Sequence, residues 1–422
     1  MKHLRLAACL LSVASISFSQ EWTRFRGQNG TGISESKGIP VKISAAHQQW
    51  KMELPGIGHS SPVLWGNKIF LTTTGDDRGG FSVLALDATS GRLLWKKDFP
   101  LTPFQRHKFN SFASSTPAVD AERVYVLFNE PGRYVLAALS HEGELEWERD
   151  FGPFLSQHGC GVSPIIHEGM VIVANEQGDS NSVRANAHAK SFLIAVNAKD
   201  GKTIWQTPRK TLSVAYSTPS IYEKDGRKSL IFNSEAHGIY AVNPTDGKVL
   251  WEFDQAFDKR SVSSPVIAGD VILGSCGSGG GGSFVTAINV KDGTPKLAYN
   301  IRKSAPYVPT PVTRNGLAWL LSDGGILTCI DVQTGDIKYQ ERAGGNFFGS
   351  PILVDGRLYA VATNGEIVVI EASDKFNLLH RFALNELCHT TPAVALGALF
   401  IRTENHLWCF RETKAVAARG LF

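Results

Sequence analysis

The stretch Leu84-Ala85-Leu86-Asp87-Ala88-Thr89-Ser90-Gly91-Arg92-Leu93-Leu94-Trp95 decides the fold. Leu84 to Asp87 read as an alternating, half-buried strand. Asp87 starts a tight turn by accepting hydrogen bonds from the backbone ahead of it. Gly91 supplies a positive φ. Trp95 falls on the next strand, where its ring packs between sheets. The same grammar returns from Ile194-Ala195-Val196-Asn197 through Gly201 to Trp205, and from Ile239-Tyr240-Ala241-Val242-Asn243 through Gly247 to Trp251.

A second half-motif alternates with the first. It is Ser/Thr-Pro followed by a short apolar strand, a turn and another apolar strand. Eight copies lie 40 to 55 residues apart: Ser61-Pro62, Thr116-Pro117, Ser163-Pro164, Thr218-Pro219, Ser264-Pro265, Thr310-Pro311, Ser350-Pro351 and Thr391-Pro392. Two half-motifs of two strands each make one four-stranded sheet per repeat. Such a sheet cannot bury both faces alone, and radial stacking of repeats does so. The expected fold is therefore all-β: an eight-bladed β-propeller of four-stranded antiparallel blades. Seven blades is the alternative, because the seventh repeat is weak, with Glu371 for Asp and Lys375 for Gly.

Alignment of the repeats puts Ala85, Ala138, Ala195, Ala241, Ala287, Cys329, Val369 and Cys409 in one column of small residues. Cys329 and Cys409 thus read as small buried residues. The eighth repeat decays after Phe410, and a lone strand, Gln49-Trp50-Lys51-Met52, precedes the first. The N-terminal strand near Trp50 is expected to complete the last blade and close the ring.

The ends suggest export. Lys2 and Arg5 precede the apolar run Leu6 to Ile16, and Ser17-Phe18-Ser19 reads as a small-x-small cleavage site. The expected divisions are a signal peptide at 1–19, an N-terminal arm at 20–48, the propeller at 49–412 and a tail at 413–422. Leu6-Ala7-Ala8-Cys9 is like a lipoprotein box, but the apolar stretch before it is too short, so no lipid anchor is expected. No later stretch has the ~18 apolar residues needed to span a bilayer. A periplasmic or secreted monomer is expected. Loss of Lys2 and Arg5 lowers the formal charge from +4 to +2, which leaves no electrostatic footprint for nucleic acid. Cys160, Cys276, Cys329, Cys388 and Cys409 remain, an odd number, and none forms a C-x-x-C.

Function in such a ring belongs to the loops entering the inner strands and those joining second to third strands, which share one face. His59, His107, His158 and His389 shortly precede Ser/Thr-Pro sites; His188, His237 and His406 fall in the second-to-third-strand loops. Arg106, Lys108, Tyr216, Arg260, Tyr307 and Asn346 join them on that expected binding face. One reading is a polar or metal-assisted site. The other is a set of ordinary loop histidines that bond backbone carbonyls. Gly274 to Ser283 reads as a flexible rim loop without a phosphate-loop ending. Asn175 to Lys190 reads as a polar insert on the same face, either a lid or partner-binding loop or a solvated excursion.

Ala85-x-Asp87-x-x-x-Gly91-x-x-x-Trp95 and its copies resemble the tryptophan-docking repeat of the PQQ-like quinoprotein propeller family, over nearly the whole mature chain. Trp22-Thr-Arg-Phe-Arg-Gly27, Gly58-His59-Ser60-Ser61-Pro62, Asn110-Ser-Phe-Ala-Ser-Ser-Thr-Pro117 and His158-Gly-Cys-Gly-Val-Ser-Pro164 resemble an exported bacterial subgroup described as PQQ-binding-like or BamB-like. The resemblance implies either of two things. Family enzymes hold PQQ and Ca²⁺ and oxidise alcohols or sugars, using an adjacent cysteine pair, a Trp floor and a Glu/Asn/Asp calcium set. Other members are scaffolds. This chain has no adjacent cysteines. The leading expectation is a binding or scaffold module for a protein or small-molecule ligand, without cofactor or catalysis. A PQQ- and calcium-dependent dehydrogenase is the alternative, and a metal-assisted enzyme using the rim histidines is the second.

Overall fold

The computed structural model describes residues 21–75, 80–104, 109–130, 132–156, 158–178, 190–279 and 281–412. The expected signal peptide and C-terminal tail lie outside them. Eight sheets form the ring. Blade 1 runs from Val63–Trp65 to Leu93–Phe99, blade 2 from Ala118–Val119 to Leu145–Asp150, and blade 3 from Ile165–His167 to Thr203–Arg209. Blade 4 runs from Ser220–Lys224 to Val249–Phe253, and blade 5 from Val266–Ala268 to Lys296–Ile301. Blade 6 runs from Val312–Arg314 to Ile337–Arg342, and blade 7 from Ile352–Val354 to Leu378–Ala383. Blade 8 takes three strands, Ala393–Ala395, Ala398–Arg402 and His406–Phe410, from the C-terminal end.

The fourth strand of blade 8 is Gln48–Glu53, antiparallel to His406–Phe410, with Trp50 opposite Cys409. The ring closes as the sequence predicts. The small-residue column also holds in register: Ala85 faces Trp95, Ala195 faces Trp205, Ala241 faces Trp251, Cys329 faces Tyr339, and Val369 faces His380. A bulge follows each such pair, which adds twist and re-aims the aromatic toward the neighbouring blade.

Docking follows from that aim. Trp95 Nε1 donates to the His141 carbonyl (2.8 Å), Trp147 to Ala198 (3.0 Å) and Trp205 to Pro244 (2.8 Å), each in the turn of the next blade. Trp50 does the same across the seam, to Ala88 (3.2 Å). The turn glycine makes room. A Cβ on Gly91, at φ +73°, would stand 2.6 Å from the Trp50 ring.

Three expectations change in the structure. Phe81–Asp87 is buried on both faces down to its last residue rather than alternating, because blades stack on either side of every middle strand. Gly274 to Cys276 belong to the strand Val271–Cys276, not to a rim loop. Gly274 is a packing position, since a Cβ there would meet the Phe257 ring at 2.7 Å. The start of the polar insert, Asn175 to Gly178, is buried, not solvated.

The weakness of the seventh repeat has a physical cause. Blade 8 has no turn between its third and fourth strands for a docking aromatic to meet. His380 stands at the aromatic position of blade 7, and its Nε2 lies 2.6 Å from the carbonyl of Ile43 in the N-terminal arm. Ile39 and Ile43 complete the core there. All five cysteines of the described residues are buried free thiols. Burial pushes the Cys160, Cys329 and Cys409 thiols up to about 12. No helix among the described residues is long and apolar enough to cross a membrane.

Candidate binding site at the channel mouth

The eight Ser/Thr-Pro sites line the central channel. Proline cannot donate to a ladder, so it stands at the start of each inner strand. The residue before it is free to bond sideways. Ser61 N donates to Thr116 Oγ1, Thr116 N to Ser163 Oγ and Ser163 N to Thr218 Oγ1 (2.9–3.2 Å). Ser264 N donates to Thr310 Oγ1, Thr310 N to Ser350 Oγ, Ser350 N to Thr391 Oγ1 and Thr391 N to Ser61 Oγ (2.9–3.1 Å). Ser and Thr alternate strictly around this belt. Between Thr218 and Ser264 the belt is open, and Ser264 Oγ is buried without a partner.

The N-terminal arm enters the channel from the end opposite the mouth loops. Glu21 accepts from the Gly66 amide, Trp22 pairs with Leu64 of blade 1, and the Thr23 carbonyl accepts from Val119 of blade 2. Arg24 Nη2 reaches the Pro219 carbonyl of blade 4 (2.6 Å). Arg26 crosses to blades 6 and 7. The chain then turns back, and Ile33–Ser34 runs parallel to Leu353 and Val354 as a fifth strand of blade 7. The arm therefore crosses the channel at the level of the belt, tied to blades 1, 2, 4, 6 and 7.

Arg26 is 0% exposed, and all five of its N–H donors end on carbonyls. Nε bonds Gly30; Nη1 bonds Thr310 and Pro351; Nη2 bonds Thr31 and Pro311 (2.8–3.1 Å). Arg402, also 0% exposed, clasps the seam of blades 8 and 1 through Nη1, on the Ser60 carbonyl and hydroxyl and the Thr72 carbonyl. Burial pushes Arg24, Arg26 and Arg402 each down to about 9. All three still carry charge at pH 7, and none has a carboxylate within ion-pair distance among the described residues. Buried positive charge thus stands on the arm, at Arg24 and Arg26, and at the seam of blades 8 and 1, at Arg402.

Around the mouth the structure joins some of the sequence-predicted residues. His59 Nε2 and His389 Nδ1 lie 3.2 Å apart. Such a bond needs one neutral imidazole, and burial pushes His389 down, toward the neutral form. Phe348 packs at 5.0 Å and Phe109 at 6.4 Å from the His389 ring. Opposite them, Arg260 stands 5.9 Å over the Tyr216 ring, and His158 tilts against Tyr216 at 6.2 Å. Tyr307 lies beside Arg260, and its amide is pinned by Asp323 (2.6 Å). Asn346 is exposed, and its carbonyl holds the Thr363 amide.

His237 and His406 stand apart from this cluster. His237 is buried at the seam of blades 3 and 4: Nε2 accepts from the Lys210 amide, so Nδ1 carries the proton and faces Glu252 (3.3 Å). His406 Nδ1 pairs with Glu386 (2.7 Å). Arg106, His107, Lys108 and His188 lie outside the described residues. Sequence reasoning missed Phe109, Phe348 and Arg402. Of these, Arg402 had a signal, as a charged residue ending an otherwise apolar strand. It also missed Glu176, which burial pushes up to about 7 and whose Oε1 accepts from Tyr240 (3.0 Å) and lies 3.9 Å from Arg209.

A family model described as outer membrane protein assembly factor BamB matches residues 79–341 and 298–378. The chain belongs to this family. A BamB of Moranella endobia is 25% identical over 229 residues, covering 50% of this chain and 54% of that one. The chain thus spans about half the length of the first curated relatives it matches. The solved BamB of Moraxella catarrhalis superposes on this BamB-family ring with a TM-score of 0.60 at 12% identity, over 89% of this chain and 99% of that one. A quinohemoprotein alcohol dehydrogenase of Comamonas testosteroni does so with a TM-score of 0.66 at 12% identity, over 94% and 81%. Both likenesses establish the eight-bladed fold.

Proposed function

We propose that this BamB-family propeller is an exported binding module whose ligand or partner seats at the channel mouth. The observation that carries this reading is the gathering of rings there. The arm crosses the channel at the level of the belt, and the mouth presents His59, His389, Phe109, Phe348, Tyr216 and Arg260. Aromatic and imidazole rings gathered on one loop-rich face suit ligand or partner capture. Family membership supports export and a scaffold role. A photo-crosslinking residue at Phe109, 48% exposed at the mouth, is expected to give adducts in the exporting cell. The same residue at Leu297, 53% exposed on the outer strand of blade 5, is expected to give none. Adducts at Leu297 alone would overturn the reading.

A quinone-dependent oxidoreductase is the second reading. The likeness to the alcohol dehydrogenase fold and the buried arginines of the arm favour it. Mature protein from Gln20, mixed with PQQ and Ca²⁺ and passed over a sizing column, decides the point. Co-eluting quinone absorbance with dye reduction on alcohols or sugars would establish the enzyme. Elution without quinone is expected under the binding-module reading.

A further inference from the structure

Two histidines from opposite ends of the chain meet at the mouth. His59 stands in the loop that enters blade 1, and His389 in the loop that enters blade 8, where the ring closes. His59 Nε2 lies 3.2 Å from His389 Nδ1, with the ring centroids 4.7 Å apart and the ring planes at 78°. Both side chains are half-buried, so the pair keeps access to solvent. The contact is bent. A straight N–H···N bond of this length would set the centroids about 5.5 Å apart, because donor and acceptor would point along one line. Two nitrogens that share a cation are angled toward a third point in just this way.

The backbones that carry the pair are fixed by one residue. Arg402 Nη1 holds the Ser60 carbonyl and hydroxyl, next to His59. The Arg402 carbonyl accepts from Cys388 Sγ (3.2 Å) and Thr390 Oγ1 (2.7 Å), on either side of His389. The amides of His59 and Ser60 both donate to the Ala113 carbonyl (3.0 and 2.9 Å), and Phe348 packs at 5.0 Å from the His389 ring. The imidazoles are therefore set at a fixed spacing on rigid supports, as a preorganised ligand pair requires. The spacing itself is that of two ligands on one metal. Zn–N bonds of about 2.0–2.1 Å, at angles from a right angle to the tetrahedral one, put two nitrogens about 2.9–3.4 Å apart.

We propose that His59 Nε2 and His389 Nδ1 together bind one divalent transition-metal cation of the Zn²⁺ class at the channel mouth. Coordination replaces the hydrogen bond. The nitrogen that donated it gives its proton to solvent while the other nitrogen of that ring takes one up, so both rings stay neutral and both present a lone pair. Nitrogen donors select Zn²⁺, Co²⁺, Ni²⁺ and Cu²⁺ over Ca²⁺ and Mg²⁺, which take oxygen. Among the described residues no third histidine, cysteine or carboxylate joins the pair. The remaining positions fall to water and to a donor atom of the occupant, as in metal sites that keep an open position. This proposal rests on the mouth being the binding face, and it gives that face a chemistry for holding its ligand.

The test uses purified protein without a histidine tag, stripped with EDTA and titrated with Zn²⁺, Co²⁺, Ca²⁺ or Mg²⁺ alone. Calorimetry is expected to show one saturable equivalent of Zn²⁺ and of Co²⁺, and none of Ca²⁺ or Mg²⁺. His59→Gln and His389→Gln are each expected to weaken Zn²⁺ at least about tenfold. His406→Gln, which removes the separate pair with Glu386, is expected to leave it unchanged. The metal-free thermal midpoint of each variant reports its fold. Bound Co²⁺ is also expected to shift the ring protons of Phe348 and Phe109 in the unaltered protein, a readout that needs no variant. No saturable Zn²⁺ binding would overturn the proposal. So would binding that both mouth variants leave unchanged, or Ca²⁺ binding as tight as Zn²⁺. Mouth crosslinks at Phe109 that persist without any metal binding would sink this proposal and leave the binding-face reading standing. Metal binding at the pair without such crosslinks would do the reverse.

Discussion

Arg26→Met lowers the stability of the protein by about 3–5 kcal/mol, read as a fall in the urea midpoint at unchanged slope. The change keeps the volume of the side chain but removes five donors at once. The carbonyls of Gly30, Thr31, Thr310, Pro311 and Pro351 lose their partner in a fully buried site. Thr310 and Pro311 belong to blade 6 and Pro351 to blade 7, so the same residue ties the arm to two blades. Arg26→Lys is expected to fall between the wild type and the Met variant, because an ammonium has three donors and cannot span a planar cage. A Met variant within about 0.5 kcal/mol of wild type would show that the cage does not hold the arm.

Trp50→Ala is the second large effect, with an expected loss of about 3–5 kcal/mol. Trp50 lies on the strand that the N-terminal region lends to blade 8, and it docks on Gly91 and Ala88 of blade 1. It therefore closes the seam where the two ends of the chain meet. Tyrosine-bearing blades show a different device at the same level, with Tyr299 OH on the Val332 carbonyl (2.7 Å). Trp147→Ala, which docks within the continuous chain, serves as the comparison. Limited proteolysis is expected to release the arm from the Trp50 variant well before the Trp147 variant. Equal protease resistance in the two would argue against a special role for the seam.

The legibility of this molecule follows its repetition. The turn Asp87 to Gly91 is readable because its physics is local: Asp87 Oδ1 accepts from the Thr89 and Ser90 amides, as its position implies. The register of Cys409 against Trp50 is readable because the small-residue column demands it. Even the belt is written in the alternation of Ser and Thr before proline, although the sideways bonds are not. Other features are long-range. Phe109 meets Phe348 across 239 positions of sequence, and Arg26 meets Pro351 across 325. No spacing rule brings such pairs together. His237 had the position of a mouth residue in the repeat, yet Lys210 and Glu252 hold it in the seam between blades. Loop position places a residue on a face; which way its side chain turns depends on partners from other blades.

Hydrogen exchange on the arm tests the central claim most directly, namely that the N-terminal segment lies inside the channel. Amides of Gly27, Gly30, Thr31 and Gly32 donate to carbonyls within the arm, Leu64, Val119 and Leu353 donate to Trp22, Thr23 and Gly32, and the segment between is caged by blades 4, 6 and 7. Peptides covering 22–34 should exchange only as slowly as the middle strands of the blades, through global unfolding. Exchange of those peptides within seconds, with the blades still protected, would contradict the arm's place inside the channel.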